Sequence, residues 1–226
     1  MRDARAERRH DGVYASIRAM IVRHELPAHH HIRVETLADG LRVSNTPVRE
    51  ALIRLAAERL IEEIPNAGFF TKPLDEGELR ELLRLLDALI DWCLSLARPE
   101  NGVPGPSKPP RLFELATALP AAGALELADA LYLHIPSQWG GRDTVRMVDN
   151  LAARTFYLRL TDAKHVSEVA GTIAHLCRLY GALDIAALRL ALADFHRAQI
   201  ARLSDIVRLI EQADGGNGGV RSRDRI

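Results

Sequence analysis

The residues with the most specific chemistry form a short run, in which Asn45, Thr46 and Arg49 lie close together. Arginine presents a planar fork of donors that pairs with two acceptors of guanine, and asparagine pairs in a similar way with adenine. Arg49 is therefore the best candidate for a direct guanine contact, and Asn45 for an adenine contact. The alternative is that Arg49 only pairs with Glu50 or Glu35 on a solvated surface.

Three predicted helices position this run. Apolar residues at helical spacing predict a first helix over 11–23 and a second, short helix over 34–41. The pair Thr46-Pro47 is typical of a helix start, because a capping hydroxyl precedes a proline at the first helical position. The sequence therefore predicts a third helix over 46–59, with its buried stripe facing the first two.

A hairpin follows the third helix. Two β-prone runs, 60–64 and 69–72, flank a turn that contains Gly68, whose backbone has the freedom that tight turns require. Three helices followed by a hairpin describe a winged helix-turn-helix, which places its third helix in the major groove of DNA. In that arrangement Arg33 and Arg42 flank the phosphates.

Every predicted element after Leu74 is a helix. The fold class is therefore mainly α: an N-terminal winged helix-turn-helix of three helices and a β-hairpin, followed by an all-α bundle. Residues 99–110 contain five prolines and two glycines and are predicted to form an irregular loop. The predicted bundle helices span 75–98, 111–119, 122–134, 142–161, 166–180 and 185–212. The predicted domains are 1–74 for DNA binding and 75–214 for effector binding and dimerisation, with a disordered tail at 215–226.

Composition excludes two broad classes of protein. The 226 residues carry 30 basic and 30 acidic side chains and are 47% hydrophobic, which does not fit a disordered chain. No apolar run is long enough to span a bilayer and no signal peptide is visible, so no membrane partner and a cytoplasmic location are expected. Cys93 and Cys177, the two cysteines, are expected to be buried, reduced thiols.

One segment has the pattern of a known family. The run Val43–Leu55, VSNTPVREALIRL, with the wing residues Asn66–Phe70, resembles the DNA-binding signature of the GntR transcription regulators. The likeness covers about residues 13–74 and adds Ser44, Asn66 and Gly68 to the candidate DNA-binding residues. The helical remainder, 75–212, resembles more loosely the FCD-type sensing domain of the FadR subfamily.

The resemblance implies a function for the whole chain. It implies a homodimer that binds a pseudo-palindromic operator in double-stranded DNA, acting as a repressor, and responds when a small molecule enters the helical domain. Three positions depart from the family pattern: Asn45 and Ala67 stand where relatives have arginine, and Glu35 repels phosphate. Each lost phosphate contact weakens DNA binding and flattens its salt dependence.

The resemblance also implies a metal site in the helical domain. Many relatives hold one divalent metal, zinc or a nickel-like ion, with one aspartate and three histidines, and the metal helps to bind a carboxylate. The matching set here is Asp129, His134, His175 and His196. Its spacing departs from the family pattern, because Asp129 and His134 are five residues apart instead of four. The alternative is that these histidines are satisfied by neighbours and no metal is bound.

Arginines of the helical domain are candidates for binding a carboxylate effector. They are Arg84, Arg154 and Arg159, and the alternative is that each pairs with an internal aspartate. The aspartates considered for that role are Asp87, Asp91 and Asp149. The triplet 29–31, three consecutive histidines, is expected to form a solvated loop.

The expected function is therefore a transcription regulator that senses a small metabolite, with a carboxylate group, and is not an enzyme. A constitutive regulator whose sensor has degenerated is one alternative. A metal-dependent enzyme is a weaker one, since no convincing general base accompanies the predicted ligands.

Overall fold

The structure is a computed structural model that describes the backbone of residues 3–97 and 121–221, and the side chains of 11–97 and 123–214. The chain divides into two compact units, Met1–Leu74 and Asp75–Ile226. The predicted loop over 99–110 and the predicted helix over 111–119 lie outside the described residues.

Three helices form the framework of the first unit. They are α1 (Asp3–Val22), α2 (Val34–Leu41) and α3 (Asn45–Ala57). Helix α2 ends at Arg42, whose left-handed backbone (φ 56°) directs its N–H to the carbonyl oxygens of α2. The second predicted helix is confirmed, whereas α1 begins eight residues before its predicted start, in a segment of alanine, arginine and glutamate that favours helix.

A small antiparallel sheet completes the first unit. Its strands are β1 (His31–Ile32), β2 (Ile61–Ile64) and β3 (Gly68–Thr71), in the order β1-β3-β2. The predicted hairpin is confirmed as β2 and β3, which pair Ile61 with Thr71 and Ile64 with Gly68. Strand β1 was not predicted, because two residues are too few to show an alternating pattern.

The expectation of a loop at the histidine triplet is wrong for His31. His31 lies in β1, opposite Phe70 of β3, and the two ring centroids are 4.9 Å apart. A Cβ atom on Gly68 would come within 3.2 Å of the His31 ring, and Gly68 itself has a φ of 98°. The wing therefore requires glycine at this position for both its backbone conformation and its contact with β1.

Six helices form the second unit in the described residues: α4 (Glu76–Ser95), α5 (Ala121–Trp139), α6 (Arg142–His165), α7 (Glu168–Gly181), α8 (Ile185–Ala201) and α9 (Leu203–Arg221). One continuous core joins α4 to α8 and includes Leu86, Tyr132, Val148, Ile173 and Leu192, all at most 2% exposed. The predicted fold class, mainly α with an N-terminal winged helix-turn-helix, is confirmed. No helix in the described part of the chain is both long enough and apolar enough to cross a membrane.

Helix boundaries in the second unit differ from the predictions at two places. The single helix predicted over 185–212 is broken at Arg202, which forms two hydrogen bonds of 2.8 Å to the buried carboxylate of Asp162 on α6. Helix α9 also continues to Arg221 through the glycine-rich stretch at 215–219, where disorder was expected. Glycine opposes helix formation, but extending an existing helix is far easier than nucleating one.

Thr71 connects the wing to the loop before β1. Its buried hydroxyl donates to the carbonyl oxygen of Pro27 at 2.5 Å and accepts the N–H of His30 at 2.8 Å. We expect Thr71→Val to lower the free energy of unfolding by about 1–3 kcal/mol, because it leaves buried polar groups without partners. Urea unfolding followed by circular dichroism measures this, and Thr71→Ser, which retains the hydroxyl, is the control. Equal losses in both variants would contradict the assigned role of the hydroxyl.

Both cysteines of the chain are free and buried, which makes their reactivity predictable. Burial raises the pKa of Cys93 to about 11 and that of Cys177 to about 12, so the thiolate is rare at neutral pH. We expect the native protein to react slowly with a disulfide reagent at about pH 8, and the unfolded protein to release two equivalents at once. Rapid reaction of one thiol in the native state would contradict this description.

Candidate nucleic-acid interface and buried polar cluster

Helix α3 has one buried face and one exposed face at its first turn. Val48, Leu52 and Leu55 are fully buried against the rest of the first unit. Thr46 and Arg49 are exposed, because they lie on the opposite side of the helix. The buried face fixes the helix, so the exposed side chains are presented from a rigid support.

Arg49 differs in its contacts from the other arginine of α3. Among the described residues, no hydrogen bond or ion pair joins Arg49 to Glu35, Glu50 or any other side chain. Arg54 instead lies 3.8 Å above the Tyr14 ring and donates to Glu58 at 3.2 Å. The alternative interpretation of Arg49, an internal ion pair, is therefore not what the structure shows.

Tyr14 and Glu58 connect α1 to the end of α3. The Tyr14 hydroxyl donates to Glu58 at 2.5 Å, and burial followed by this hydrogen bond raises the pKa of Tyr14 to about 12. The phenol therefore stays protonated and remains a donor at any physiological pH. Sequence reasoning missed this contact, because its partners are 44 residues apart and no motif connects them.

The remaining predicted DNA-binding residues lie around α3. Arg33, Arg42, Ser44 and Asn45 are exposed, and Ser44 precedes the first residue of α3 without capping it through its side chain. Asn66 is exposed at the tip of the wing and Gly68 is partly buried beside it. The predicted set therefore surrounds the turn between α2 and α3 and the tip of the wing, although nothing bound marks it.

Acidic side chains limit the positive character of this surface. Glu35 is exposed on α2, and Glu62 and Glu63 are exposed on β2 of the wing. Carboxylates repel the phosphate backbone and reduce the number of phosphates that a protein neutralises. The first unit thus has the shape of a DNA-binding domain with a moderate electrostatic attraction for DNA.

His196 lies at the centre of a hydrogen-bonded chain inside the second unit. Its Nδ1 is 2.7 Å from the Asp87 carboxylate on α4, and its Nε2 is 2.7 Å from the Tyr132 hydroxyl on α5. The carboxylate of Asp87 can only accept, so Nδ1–H donates to it, and in the neutral imidazole Nε2 then accepts the Tyr132 hydroxyl. Both nitrogens of His196 are therefore in use.

Asp129 and Arg159 form a second pair beside Tyr132. A nitrogen of the Arg159 guanidinium lies 2.6 Å from the Asp129 carboxylate, and the same nitrogen donates to the carbonyl oxygen of Ala152 at 2.8 Å. The guanidinium also lies 5.4 Å from the centre of the Tyr132 ring. A buried guanidinium needs such a partner, because an uncompensated charge in the interior is very costly.

The other two predicted metal ligands, His134 and His175, have different surroundings. His134 lies edge-on to Tyr180, with ring centroids 5.5 Å apart, and burial lowers the pKa of its imidazole. His175 is exposed on α7. Within the described part of the chain, no group of three or more His, Cys, Asp or Glu side chains could hold a metal ion. The set of Asp129, His134, His175 and His196 therefore does not fit the metal site that the resemblance implied.

The candidate effector arginines have different environments. Arg84 is exposed on α4, so it is not part of the buried interior of the helical unit. Arg154 is mostly buried and pairs with Glu78 of α4, which is not among the aspartates proposed as its alternative partners. Arg159 is 1% exposed and belongs to the polar cluster, here defined as Asp87, Asp129, Tyr132, Arg159 and His196.

One nitrogen of the polar cluster and one oxygen on α8 are buried without a hydrogen-bond partner among the described residues. They are Nη1 of Arg159 and Oε1 of Gln199, and both side chains are 1% exposed. Sequence reasoning missed Gln199, Tyr132 and the role of Asp87. The spacing of Gln199 three residues after His196, which places both on one face of α8, was the available signal.

Comparison with known proteins places the first unit in a family. Residues 9–71 match the family described as bacterial regulatory proteins, gntR family. A transcriptional regulator of HTH type in an unstable DNA locus of Streptomyces ambofaciens is 38% identical over 85 residues, which cover 34% of this chain and 36% of that protein. The Nta operon transcriptional regulator of Aminobacter aminovorans is 41% identical over 61 residues, which cover 27% and 29%.

The aligned residues thus span about a third of the length of these relatives. A solved structure from Rhodococcus sp. RHA1, described as a transcriptional regulator GntR, covers 87% of this chain and 98% of its own at 16% identity and a TM-score of 0.66. That likeness shows a shared fold across both units. Residues 9–71, which include the exposed first turn of α3 and the wing, are a helix-turn-helix domain of the GntR family.

Proposed function

We propose that the chain is a DNA-binding transcription regulator of the FadR subfamily, acting as a repressor. The observation that carries the proposal is the first turn of α3, where Thr46 and Arg49 are exposed on a helix whose opposite face is buried. Helices of this kind enter the major groove and contact base edges with their N-terminal residues. Both relatives are named as transcriptional regulators, which is consistent with this function.

Each exposed residue of this region has a distinct proposed role. Arg49 pairs with a guanine, because its guanidinium is charged, exposed and without an ion pair among the described residues. Asn45 reads an adenine at the preceding position. Arg33 and Arg42 contact phosphates, and Asn66 at the wing tip contacts the backbone or the minor groove.

The regulator is proposed to act as a homodimer on a pseudo-palindromic operator. Helix α4 exposes Leu85 (53%) and Trp92 (46%), which lie two helical turns apart on the same side. Large apolar side chains on one face of a helix are typical of an interaction surface. A two-fold dimer would present two copies of α3 to two half-sites.

The helical unit is proposed to sense a small metabolite with a carboxylate group. The buried guanidinium of Arg159 supports this role, because its Nη1 lacks a partner among the described residues and arginine binds carboxylates well. A constitutive regulator with a degenerate sensor is the second candidate. The scattered positions of the predicted metal ligands favour it, since the family-type site is not assembled.

The role of Arg49 is tested by its removal. We expect Arg49→Ala to weaken operator binding by about 1–3 kcal/mol and to relax the base preference at one position of each half-site. Fluorescence anisotropy at fixed salt, with the operator selected from random DNA by the wild-type protein, measures both effects. Arg54→Ala is the matched control on the same helix, because Arg54 is engaged with Tyr14 and Glu58. An unchanged dissociation constant for Arg49→Ala would refute the assignment.

The dimer surface is tested by placing a charge on it. We expect Leu85→Glu to convert the dimer into a monomer and to weaken operator binding, because a buried carboxylate without a partner opposes association. Sedimentation velocity measures the mass, and Leu190→Glu on α8 is the control, since Leu190 is the most exposed large apolar residue (71%) among the described side chains. A Leu85→Glu protein that remains dimeric would exclude this face.

A further inference from the structure

We infer that the polar cluster binds its carboxylate ligand on the Arg159 guanidinium instead of on a metal ion, and that Gln199 recognises a hydrogen-bond donor on the same ligand. This inference rests on the proposed sensing function and specifies its chemistry. It starts from a disagreement: the resemblance implied a metal at residues that this structure assigns to other partners.

The one lone pair of the neutral His196 ring already accepts a hydrogen bond. A metal binds the unprotonated nitrogen of a neutral imidazole, and Nε2 of His196 already accepts the Tyr132 hydroxyl at 2.7 Å. The other nitrogen faces the carboxylate of Asp87 at the same distance. Metal binding would therefore have to break a buried hydrogen bond and leave the Tyr132 hydroxyl without an acceptor.

The carboxylate of Asp129 is also already engaged, in an ion pair. It is the counter-charge of Arg159, whose side chain is 1% exposed, at a distance of 2.6 Å. A divalent cation on Asp129 would remove that counter-charge and would place two positive centres next to each other in a region of low dielectric. The cation that this cluster presents is thus Arg159 itself.

Two nitrogens of the Arg159 guanidinium, Nε and Nη2, make hydrogen bonds that hold the side chain in place. Its Nε donates to Thr155 at 3.2 Å, and Nη2 donates to Asp129 and to the carbonyl oxygen of Ala152. Both N–H groups of Nη1 remain without a partner among the described residues. Buried polar groups of proteins are nearly always satisfied, so two unused donors on a fixed cation indicate a position for an anionic acceptor.

Gln199 offers a hydrogen-bond acceptor, whereas Arg159 offers donors. Its Oε1 is a buried acceptor that lacks a donor among the described residues, and it lies one turn after His196 on α8. The Tyr132 ring lies 5.4 Å from the Arg159 guanidinium and 5.6 Å from the His196 ring, so it is close to both of these side chains. A small carboxylate that also carries a hydroxyl or ammonium group satisfies both unused sites.

Lactate and propionate are suitable probes, because they differ only by one hydroxyl group. We would measure thermal unfolding of the full-length, chelator-treated protein with lactate, with propionate and with zinc chloride alone. Lactate should raise Tm by about 5–10 °C at about one hundred times its Kd. Propionate should bind about tenfold more weakly, since it leaves the Gln199 acceptor unpaired. Zinc alone should leave Tm unchanged.

Variants test the proposed ligand contacts of Arg159 and Gln199 separately. Arg159→Gln combined with Asp129→Asn removes both charges together and should abolish stabilisation by either probe, whereas Arg146→Gln, on an exposed position of the same helix, should retain it. Gln199→Leu should bind lactate and propionate with equal affinity and should unfold at a higher temperature without ligand. This variant keeps the inference testable if the double variant fails to fold.

Three results would overturn the inference. They are about one zinc ion per chain with a raised Tm, no stabilisation of the wild type by lactate, and equal effects of lactate and propionate on the wild type. Operator binding, measured on the same preparations, separates this inference from the proposed function. A protein that binds the operator but neither probe rejects the inference alone, and one that binds lactate but no DNA rejects the proposed regulator alone.

Discussion

A buried charge requires an opposite charge beside it, and this constraint organises the helical unit. Arg159 on α6 is 1% exposed and draws Asp129 of α5 to within 2.6 Å. Arg202 pairs with the fully buried Asp162 and interrupts what would otherwise be one long helix. Breaking such a pair on one side costs several kcal/mol. The two pairs lie within one turn of α6 and therefore fix how this turn meets α5 on one side and the junction of α8 and α9 on the other.

In the first unit, the arginines of α3 differ in whether they have a carboxylate partner. Arg54 is occupied by Glu58 and by the face of Tyr14, so it braces α3 against α1. Arg49, five residues earlier, points away from that brace and has no ion pair with any described side chain. An exposed charge without a partner costs the folded protein little, because water solvates it. It is then available for an external acceptor, which is what base recognition demands.

The sequence allowed prediction of those features that repeat along a helix or follow turn chemistry. Helix α2, the hairpin of β2 and β3, and the exposed first turn of α3 all follow from spacing and from Pro47 and Gly68. Strand β1 is too short to leave a pattern, and the break at Arg202 depends on Asp162, 40 residues away. The sequence also could not show that the nitrogens of His196 are hydrogen-bonded to Tyr132 and Asp87, because these residues lie on two other helices. The structure therefore does not support the predicted metal site.

The polar cluster also bears on whether the sensor has degenerated. A core that no longer binds anything gains stability when its unsatisfied polar groups are replaced by apolar ones. Arg159 and Gln199 instead keep one donor nitrogen and one acceptor oxygen buried without partners among the described residues. Beside Arg159, the side chains of Asp87, His196 and Tyr132 form a chain of two hydrogen bonds. The unpartnered Nη1 of Arg159 and Oε1 of Gln199 thus carry a free-energy cost that a purely structural core would lose by substitution, and this cost favours the proposed sensor over the degenerate one.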